Sequence, residues 1–272
     1  MNKTETKPVV SVIIPTHNRP EYLRRALISV KIQTFDDIEI IVVDDASSVD
    51  LEDVLQDFPD VIYLRNKTNK GPCYSRNRGL KHARGKFINF LDDDDILYPE
   101  KIEKQVTLFR NSSDKKLGMV TCHTKDCRSG ETKIKYNKLR GYLYRKLLYS
   151  YVMTGNETVL YKRKYLVKTG GFDEDLESSQ EYDLFIRMAK NYKIDYVDDI
   201  LTEECKSENQ ISVNFDKKIK GTRHLYKKYK QAYLKQGVFF WLKMRIKFGL
   251  LILRYLTGKY IGEKTYRRLI FD

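Results

Sequence analysis

The chain has 272 residues, 41% of them hydrophobic, which is enough for one large domain with a real core plus an appendage and excludes a disordered chain. Its formal charge of +14 is unevenly spread: residues 217–272 carry 16 Lys/Arg against 2 Asp/Glu, and residues 1–216 hold 35 of each sign. The basic excess therefore belongs to a tail, which suggests anionic phospholipid, nucleic acid or an anionic substrate, while the body has no charge bias.

Met1 to Pro8 is polar and the first apolar run is too short for a secretory signal, so a cytoplasmic location is expected. That run, Val9–Ile14, reads as a strand ended by Pro15. Ile38–Val43, Val61–Leu64 and Phe87–Leu91 read as three more, and Glu21–Gln33, Leu51–Phe58 and Tyr74–Ala83 as the helices between them. Strands that are nearly all apolar and alternate with helices imply a parallel sheet covered on both faces. Such sheets bind ligands at the carboxyl ends of their strands. Those ends are polar here: Pro15-Thr16-His17-Asn18-Arg19, then Asp44-Asp45-Ala46-Ser47-Ser48, then Asp92-Asp93-Asp94-Asp95.

Residues 117–216 read as mixed. Leu117–Cys122 and Val159–Tyr161 look like strands, Gly170-Gly171-Phe172-Asp173 is a turn, and Ser179–Asn191 is a helix. Cys73, Cys122, Cys127 and Cys205 form no CxxC pair and read as reduced, mostly buried thiols rather than metal ligands. From Phe215 onward the chain is helical and basic.

Four consecutive carboxylates after a buried strand repel one another, and a divalent cation would offset that. Mg²⁺ and Mn²⁺ take carboxylate and phosphate oxygens, with one or two side chains plus the substrate. An acidic run can also simply cap the helix beginning near Pro99. Its position after Phe87–Leu91, in a fold whose strand ends bind ligand, favours the metal.

Six stretches in order resemble an inverting family 2 glycosyltransferase with the GT-A fold, of the bacterial surface-polysaccharide type. They are Val12–Arg19, Ile41–Ser47, Asn69-x-Gly71-x-x-x-Ser75-Arg76-Asn77-x-Gly79, Phe90–Asp95 (the DxD signature), Gly170–Glu174, and Gln180-Glu181-Tyr182-Asp183-Leu184-x-x-Arg187. The match covers roughly residues 9–215. The resemblance implies a Rossmann-like α/β fold with a mixed, mainly parallel sheet over residues 1–215, followed by a basic helical extension over 216–272.

It also implies roles. Pro15, Thr16 and His17 would border the base of a UDP-sugar, with His17 standing where the family usually has Tyr, and Arg19 would belong to the same pocket. Asp45 would bond the uracil N–H, a hydrogen bond a carboxylate accepts well. Arg76 would reach the base or the diphosphate. Asp92 and Asp94 would hold Mn²⁺ or Mg²⁺, Asp94 most directly. Asp93 would touch ribose or sugar, and Asp95 would cap a helix. An inverting transfer needs a carboxylate to take the acceptor proton. Glu181 matches that position, with Gln180 replacing the preceding acid. Asp183 is the rival base, or a structural partner of Arg187.

Gly237–Leu256 is strongly apolar, but Lys243, Arg245 and Lys247 interrupt it and oppose a membrane span. At 3.6 residues per turn Lys243, Lys247 and Arg254 share one stripe, with Trp241 and Tyr255 as interfacial aromatics. This fits a helix lying in an anionic membrane surface at the inner face of the cell membrane, where the acceptor glycan would be carried on a polyprenyl diphosphate. Packing on the body or on a second subunit is the plainer alternative. Two other readings compete. A sugar-phosphate nucleotidyltransferase would need a glycine-rich loop after the first strand, and Pro15–Arg19 has no glycine. A nucleic-acid-binding tail would be less continuously apolar, so no nucleic acid is expected.

Overall fold

In the computed structural model, residues 7–128, 131–205 and 214–262 are described. Strands β1 (Val10–Thr16), β2 (Ile38–Asp44), β3 (Ile62–Arg65) and β4 (Phe87–Phe90) alternate with helices α1 (Pro20–Lys31), α2 (Glu52–Gln56) and α3 (Pro72–His82). The four strands pair in parallel in the order β3-β2-β1-β4. Both faces are covered, as the unbroken apolar runs require. Val12, Ile14, Ile40 and Val42 point into one core layer, and Ile13, Ile41 and Val43 into the other.

Pro15 lies inside β1 rather than ending it. Ile13 accepts a hydrogen bond from the Leu91 amide (3.0 Å), so two residues on the Pro15 nitrogen faces the same side, where β4 has already ended. The missing N–H therefore costs no ladder bond there.

The chain continues through β5 (Ile96–Leu97), α4 (Lys101–Asn111), β6 (Leu117–Asp126), β7 (Lys133–Lys135), α5 (Tyr144–Tyr149), a 3-10 turn (Asn156–Thr158), β8 (Leu160–Lys162), α6 (Arg163–Thr169), α7 (Gln180–Ala189) and β9 (Lys193–Glu204). The sheet extends beyond β4 as β8-β6-β9-β5, with β7 paired to β6. These pairings are antiparallel except β6 with β9, so the whole is a mixed sheet whose parallel part is its first half. β9 has no simple sequence signature because Asp195, Asp198 and Asp199 interrupt it. Those charges are met by Arg140, by His123 with Lys138, and by Lys104.

Helices α8 (Phe215–Lys235) and α9 (Val238–Ile261) form a hairpin joined through Gly237, whose φ of 115° favours glycine. α8 begins with Asn214 capping the Lys217 amide (3.0 Å). The hairpin shares the main core: Ile219, Leu225, Tyr229, Tyr233, Met244 and Phe248 join the cluster that contains Ile13 and Phe185. No helix among the described residues is long and apolar enough to cross a membrane.

α9 is oriented differently from the surface helix expected of it. Lys243 and Lys247 lie over the Tyr149 ring (4.6 and 4.3 Å), and Lys247 donates to the Tyr149 carbonyl (2.6 Å). Trp241 packs against the core and Tyr255 turns toward α8 beneath Lys218 (5.5 Å). The two aromatics are therefore not the outward face. Phe239, Leu242, Ile246, Leu250 and Leu253 are. Cys73, Cys122 and Cys205 are buried free thiols, and Cys127 is half-buried.

Candidate active site

The three polar strand ends converge at one edge of the sheet. After β1, Thr16 donates to Asp93 Oδ2 (2.7 Å). Arg19 reaches Asp93 (3.1 Å) and Asp94 (3.2 Å), so the acid run is partly neutralised from the first loop. His17 is exposed at the rim, 3.1 Å from the Asn18 side chain. Pro15 is buried within β1. After β2, Asp44 takes the Tyr63 hydroxyl (2.7 Å) and the Ser47 amide (2.8 Å).

Asp45 is buried, and its carboxylate shapes the next loop. Its Oδ1 accepts from the Asn66 side chain (2.7 Å) and the Lys70 amide (2.8 Å), and its Oδ2 from the Gly71 amide (2.7 Å). Three of its four lone-pair positions are thereby used, which leaves one on Oδ2 for a base. Gly71 (φ 85°) makes this turn possible and leads directly into α3.

α3 carries Arg76 into the cleft because it lies unusually close to β1. A Cβ on Gly79 would sit 2.4 Å from Ile13 Cγ2, so only glycine allows that approach. Arg76 is 4% exposed, its NH2 2.5 Å from Asp92 and 3.8 Å from Glu181. Its plane lies over the Phe172 ring (5.2 Å). Its Nε and NH1 are buried and have no hydrogen-bond partner among the described residues. Two unmet guanidinium donors at a cleft are an unfinished anion site, since a planar fork matches a phosphate or carboxylate.

Left-handed backbone at residues other than glycine occurs at three described positions, Asn18 (φ 58°), Ala46 (φ 60°) and Ser179 (φ 62°). Two lie in the loops after β1 and β2 that border this cleft, and the third begins α7, the helix that carries Glu181. Such strain persists only where the surroundings enforce it, and it gathers at functional sites.

The carboxylates differ sharply. Burial pushes Asp93 up to about 7 against the pull of Arg19 and Thr16. Glu181, in the first turn of α7, keeps 27% of its side chain exposed. Burial raises its pKa, Arg76 opposes the rise, and Asp92 adds to it. Asp95 does not cap α4. It is buried, accepts from the Cys205 amide (3.2 Å), and burial with neighbouring acids raises it well above the usual range. Glu157, unforeseen from sequence, is also buried, and its Oε1 has no hydrogen-bond partner among the described residues. Burial, and then the neighbouring Glu204, raises its pKa well above the usual carboxylate range.

Asp183 is turned away from the cleft. It is fully buried, with Oδ2 on Arg187 (2.7 Å) and Oδ1 shared by the Tyr229 hydroxyl (2.7 Å) and Lys228 (2.7 Å). On a helix, residues two apart face nearly opposite ways, so Glu181 and Asp183 cannot serve one pocket. This arrangement matches the expected structural pairing with Arg187.

The acids meet a metal only in part. Asp92 Oδ2 and Asp94 Oδ1 have no hydrogen bond or ion pair among the described residues, while the other oxygen of each is held by Arg76 and Arg19. No group of three His, Cys, Asp or Glu side chains among the described residues could hold a cation by itself. The donor set therefore suits a hard cation completed by phosphate oxygens, not one caged by protein. His123 offers no alternative centre, since Asp198 (2.7 Å) and the Asn137 amide (3.0 Å) occupy both ring nitrogens.

Residues 11–170 match the family model for Glycosyl transferase family 2. The chain belongs to that family. It is 33% identical over 208 residues to an uncharacterized glycosyltransferase of Methanocaldococcus jannaschii, covering 72% of this chain and 70% of that protein. It is 29% identical over 245 residues to WcaA of Escherichia coli, provisionally named a colanic acid biosynthesis glycosyl transferase, covering 84% of each. Family 2 glycosyltransferases share the GT-A architecture, and two solved structures show it. One is TarS of S. aureus (residues 1–349) in complex with UDP-GlcNAc: TM-score 0.67, 22% identity, 79% of this chain and 65% of that one. The other is the mannosyltransferase PcManGT of Pyrobaculum calidifontis with GDP-Man and Mn2+: TM-score 0.62, 19% identity, 84% of this chain and 65% of that one. The chain thus spans just under two thirds of the length of these structures.

Proposed function

We propose that this glycosyltransferase moves a sugar, with inversion, from a UDP-sugar to a glycan acceptor carried on a lipid, in surface-polysaccharide assembly. The observation that carries the reading is Arg76. One buried guanidinium joins a DxD acid, Asp92, to Glu181, and still has two donors unmet.

In this reading the donor's diphosphate lies between Arg76 and the acid run. Asp92 and Asp94 would hold Mn²⁺ or Mg²⁺ together with the phosphate oxygens, and the cation would offset the charge gathered on the departing nucleoside diphosphate. Pro15, Thr16, His17 and the remaining Oδ2 position of Asp45 border the base, with Arg19 and Asp93 on the ribose side. Glu181 takes the proton of the acceptor hydroxyl as that oxygen bonds to the anomeric carbon, and the sugar–phosphate bond breaks with its electron pair on the diphosphate. The raised pKa of Glu181 makes it a better proton acceptor than an ordinary carboxylate, provided it is ionised. Asp183 positions α7 and does not touch the substrate. The UDP-GlcNAc bound to TarS, the provisional role of WcaA, and the Mn2+ beside GDP-Man in PcManGT support the donor, the pathway class and the metal, respectively.

We also infer that the enzyme works at the inner face of the cell membrane, held by α9. The outward stripe of Phe239, Leu242, Ile246, Leu250 and Leu253 is flanked by Arg254 and by Lys243 over the Tyr149 ring on one edge and by Arg245 on the other, where Lys259 pairs with Asp216, and α9 has no acid at all. An apolar stripe between two cationic edges fits an anionic bilayer surface.

A screen of nucleotide sugars for release of free nucleoside diphosphate, with Mn²⁺, with Mg²⁺ and with EDTA, tests the central claim. Release from a UDP-sugar that needs the cation and is lost in Asp94→Ala supports it. No release from any nucleotide sugar under all three conditions overturns it.

A further inference from the structure

A second, open cavity lies outside this cleft, beside the loop that follows Gly171. It has a volume of about 600 Å³ and is lined by Asp173 and by Arg223, His224, Lys227 and Lys228 of α8. Lys228 is fully committed, bonded to Asp173 and to Asp183 Oδ1. Arg223 and Lys227 are exposed, four residues apart on one helix face, and neither is paired with an acid among the described residues. Nearby Lys220 differs in this respect, since Glu177 takes it (3.2 Å). After Asp173 is matched with Lys228, two cations and a histidine remain facing an open cavity. Such a surplus suits a ligand bearing more than one negative charge.

The cavity is tied to the cleft. Its wall residue Asp173 follows Phe172, whose ring lies under Arg76. Asn77, next to Arg76, clamps that loop from the cleft side: it donates to the Phe172 carbonyl (2.9 Å) and to Glu174 (2.7 Å), and accepts from the Phe172 amide (2.8 Å). Lys228 joins the cavity wall to Asp183, on the face of α7 opposite Glu181, so the cavity and the candidate base flank the same helix. An acceptor long enough to run from Glu181 around residues 172–174 would reach the cavity that Asp173 lines with Arg223 and Lys227.

We infer that this cavity binds a phosphate or diphosphate group of the acceptor, so that the enzyme holds the donor's diphosphate in one place and the acceptor's in another. The inference rests on the transfer reading, because only an acceptor running from Glu181 links the two places.

The test uses the full chain with the double variant Arg223→Gln/Lys227→Gln, since glutamine keeps helix propensity on an exposed face. Circular dichroism checks the fold, and Arg223→Ala/Lys227→Ala serves as a second variant. Calorimetric titration with sodium pyrophosphate in EDTA, with the cleft first saturated by UDP so that Arg76 does not take the probe, should show affinity at least tenfold weaker in either variant than in wild type. Release of nucleoside diphosphate by donor hydrolysis should stay within about twofold of wild type, because neither residue touches the donor. Equal pyrophosphate affinity in wild type and both variants overturns the inference. So does a variant that keeps pyrophosphate affinity but loses binding to phosphatidylglycerol vesicles, which would assign these cations to lipid headgroups. If pyrophosphate binding falls as expected while wild type hydrolyses no nucleotide sugar, the anion site stands and the transfer reading fails instead.

Discussion

Tyr229 of α8 donates a 2.7 Å hydrogen bond to Asp183 of α7, 46 residues earlier in the chain. Through this bond the basic hairpin is part of the support beneath the candidate base. Tyr229→Phe removes one neutral donor and leaves Arg187 and Lys228 on the carboxylate. It should cost about 1–2 kcal/mol and leave turnover within a few-fold. Asp183→Asn leaves Arg187 without its acid and Lys228 with Asp173 alone, and should cost about 3–5 kcal/mol. Urea denaturation measures both. An Asp183→Asn protein of unchanged stability but without turnover would return Asp183 to the role of base.

Glu181→Gln keeps the shape of the side chain and removes its basicity. Turnover should fall by about 10²–10⁴-fold, the usual worth of a positioned general base. Affinity for the nucleotide sugar should change little, because the donor is placed on the Asp92 side of Arg76 and the acceptor on the Glu181 side. Single-turnover kinetics with a binding titration separates the two effects. Near wild-type turnover would remove Glu181 from the mechanism.

Arg76 sets the pH range over which that base works. Burial raises Glu181, and Arg76 is the chief influence pulling it back down. A base is active when ionised, so rate is lost as pH falls through its pKa. In Arg76→Met the opposing cation is gone, the pKa rises further, and the acid limb of the kcat profile should move to higher pH. Turnover at the plateau should fall as well, because Asp92 loses its partner. An acid limb that does not move, or moves to lower pH, would mean that Glu181 does not control it.

The strand ends and their acids were legible in the sequence because each apolar run stops abruptly at polar residues, and a parallel sheet leaves those residues at one edge. The limits of legibility were tertiary. Asp183 could be read as a base or as a partner of Arg187, and only the arrival of Tyr229 and Lys228 from α8 decides its surroundings. β9 was hidden because its three aspartates break the apolar pattern, and their partners lie on other elements. The basic stripe of α9 was visible from spacing, but a helix with two apolar faces does not say which one packs inward. Tyr149 settles that by taking Lys243 and Lys247. Glu157 carried no signal at all, being a lone acid in a short turn.

Lys101 is fully buried at the start of α4, its ammonium bonded to Gln105 (2.9 Å), and burial lowers its pKa from 10.5 to about 8. Between these values the unfolded chain keeps the proton and the folded chain releases it, so this residue makes stability rise with pH from about 8 to 10.5. Below pH 8 the full cost of the buried charge is present. Lys101→Met removes that cost but leaves Gln105 Oε1 without its donor. It should therefore stabilise the protein by about 1–2 kcal/mol at pH 7, and its advantage should shrink by pH 9.5. Chemical denaturation of both proteins at the two pH values checks this. A destabilised variant at pH 7 would mean that the ammonium is needed by Glu157 and its neighbours.

The outward face of α9 gives the clearest test of where the enzyme works. Phe239 is 89% exposed and Ile246, Leu250 and Leu253 about 60%, a continuous apolar strip on a helix whose opposite side is already packed through Met244 and Phe248. Water contact along such a strip is unfavourable by roughly 25 cal/mol per Å², so some surface should cover it. Each basic residue near an anionic headgroup layer adds about 1 kcal/mol. Two changes separate the contributions. Ile246→Glu/Leu250→Glu destroys the strip without touching Met244 or Phe248, and should abolish co-sedimentation with phosphatidylglycerol vesicles while leaving donor hydrolysis unchanged. Raising salt should weaken wild-type binding only partly, since the apolar share is not screened. If wild type ignores the vesicles and instead dimerises, with the double variant monomeric, the strip is an interface between two copies and the membrane reading fails.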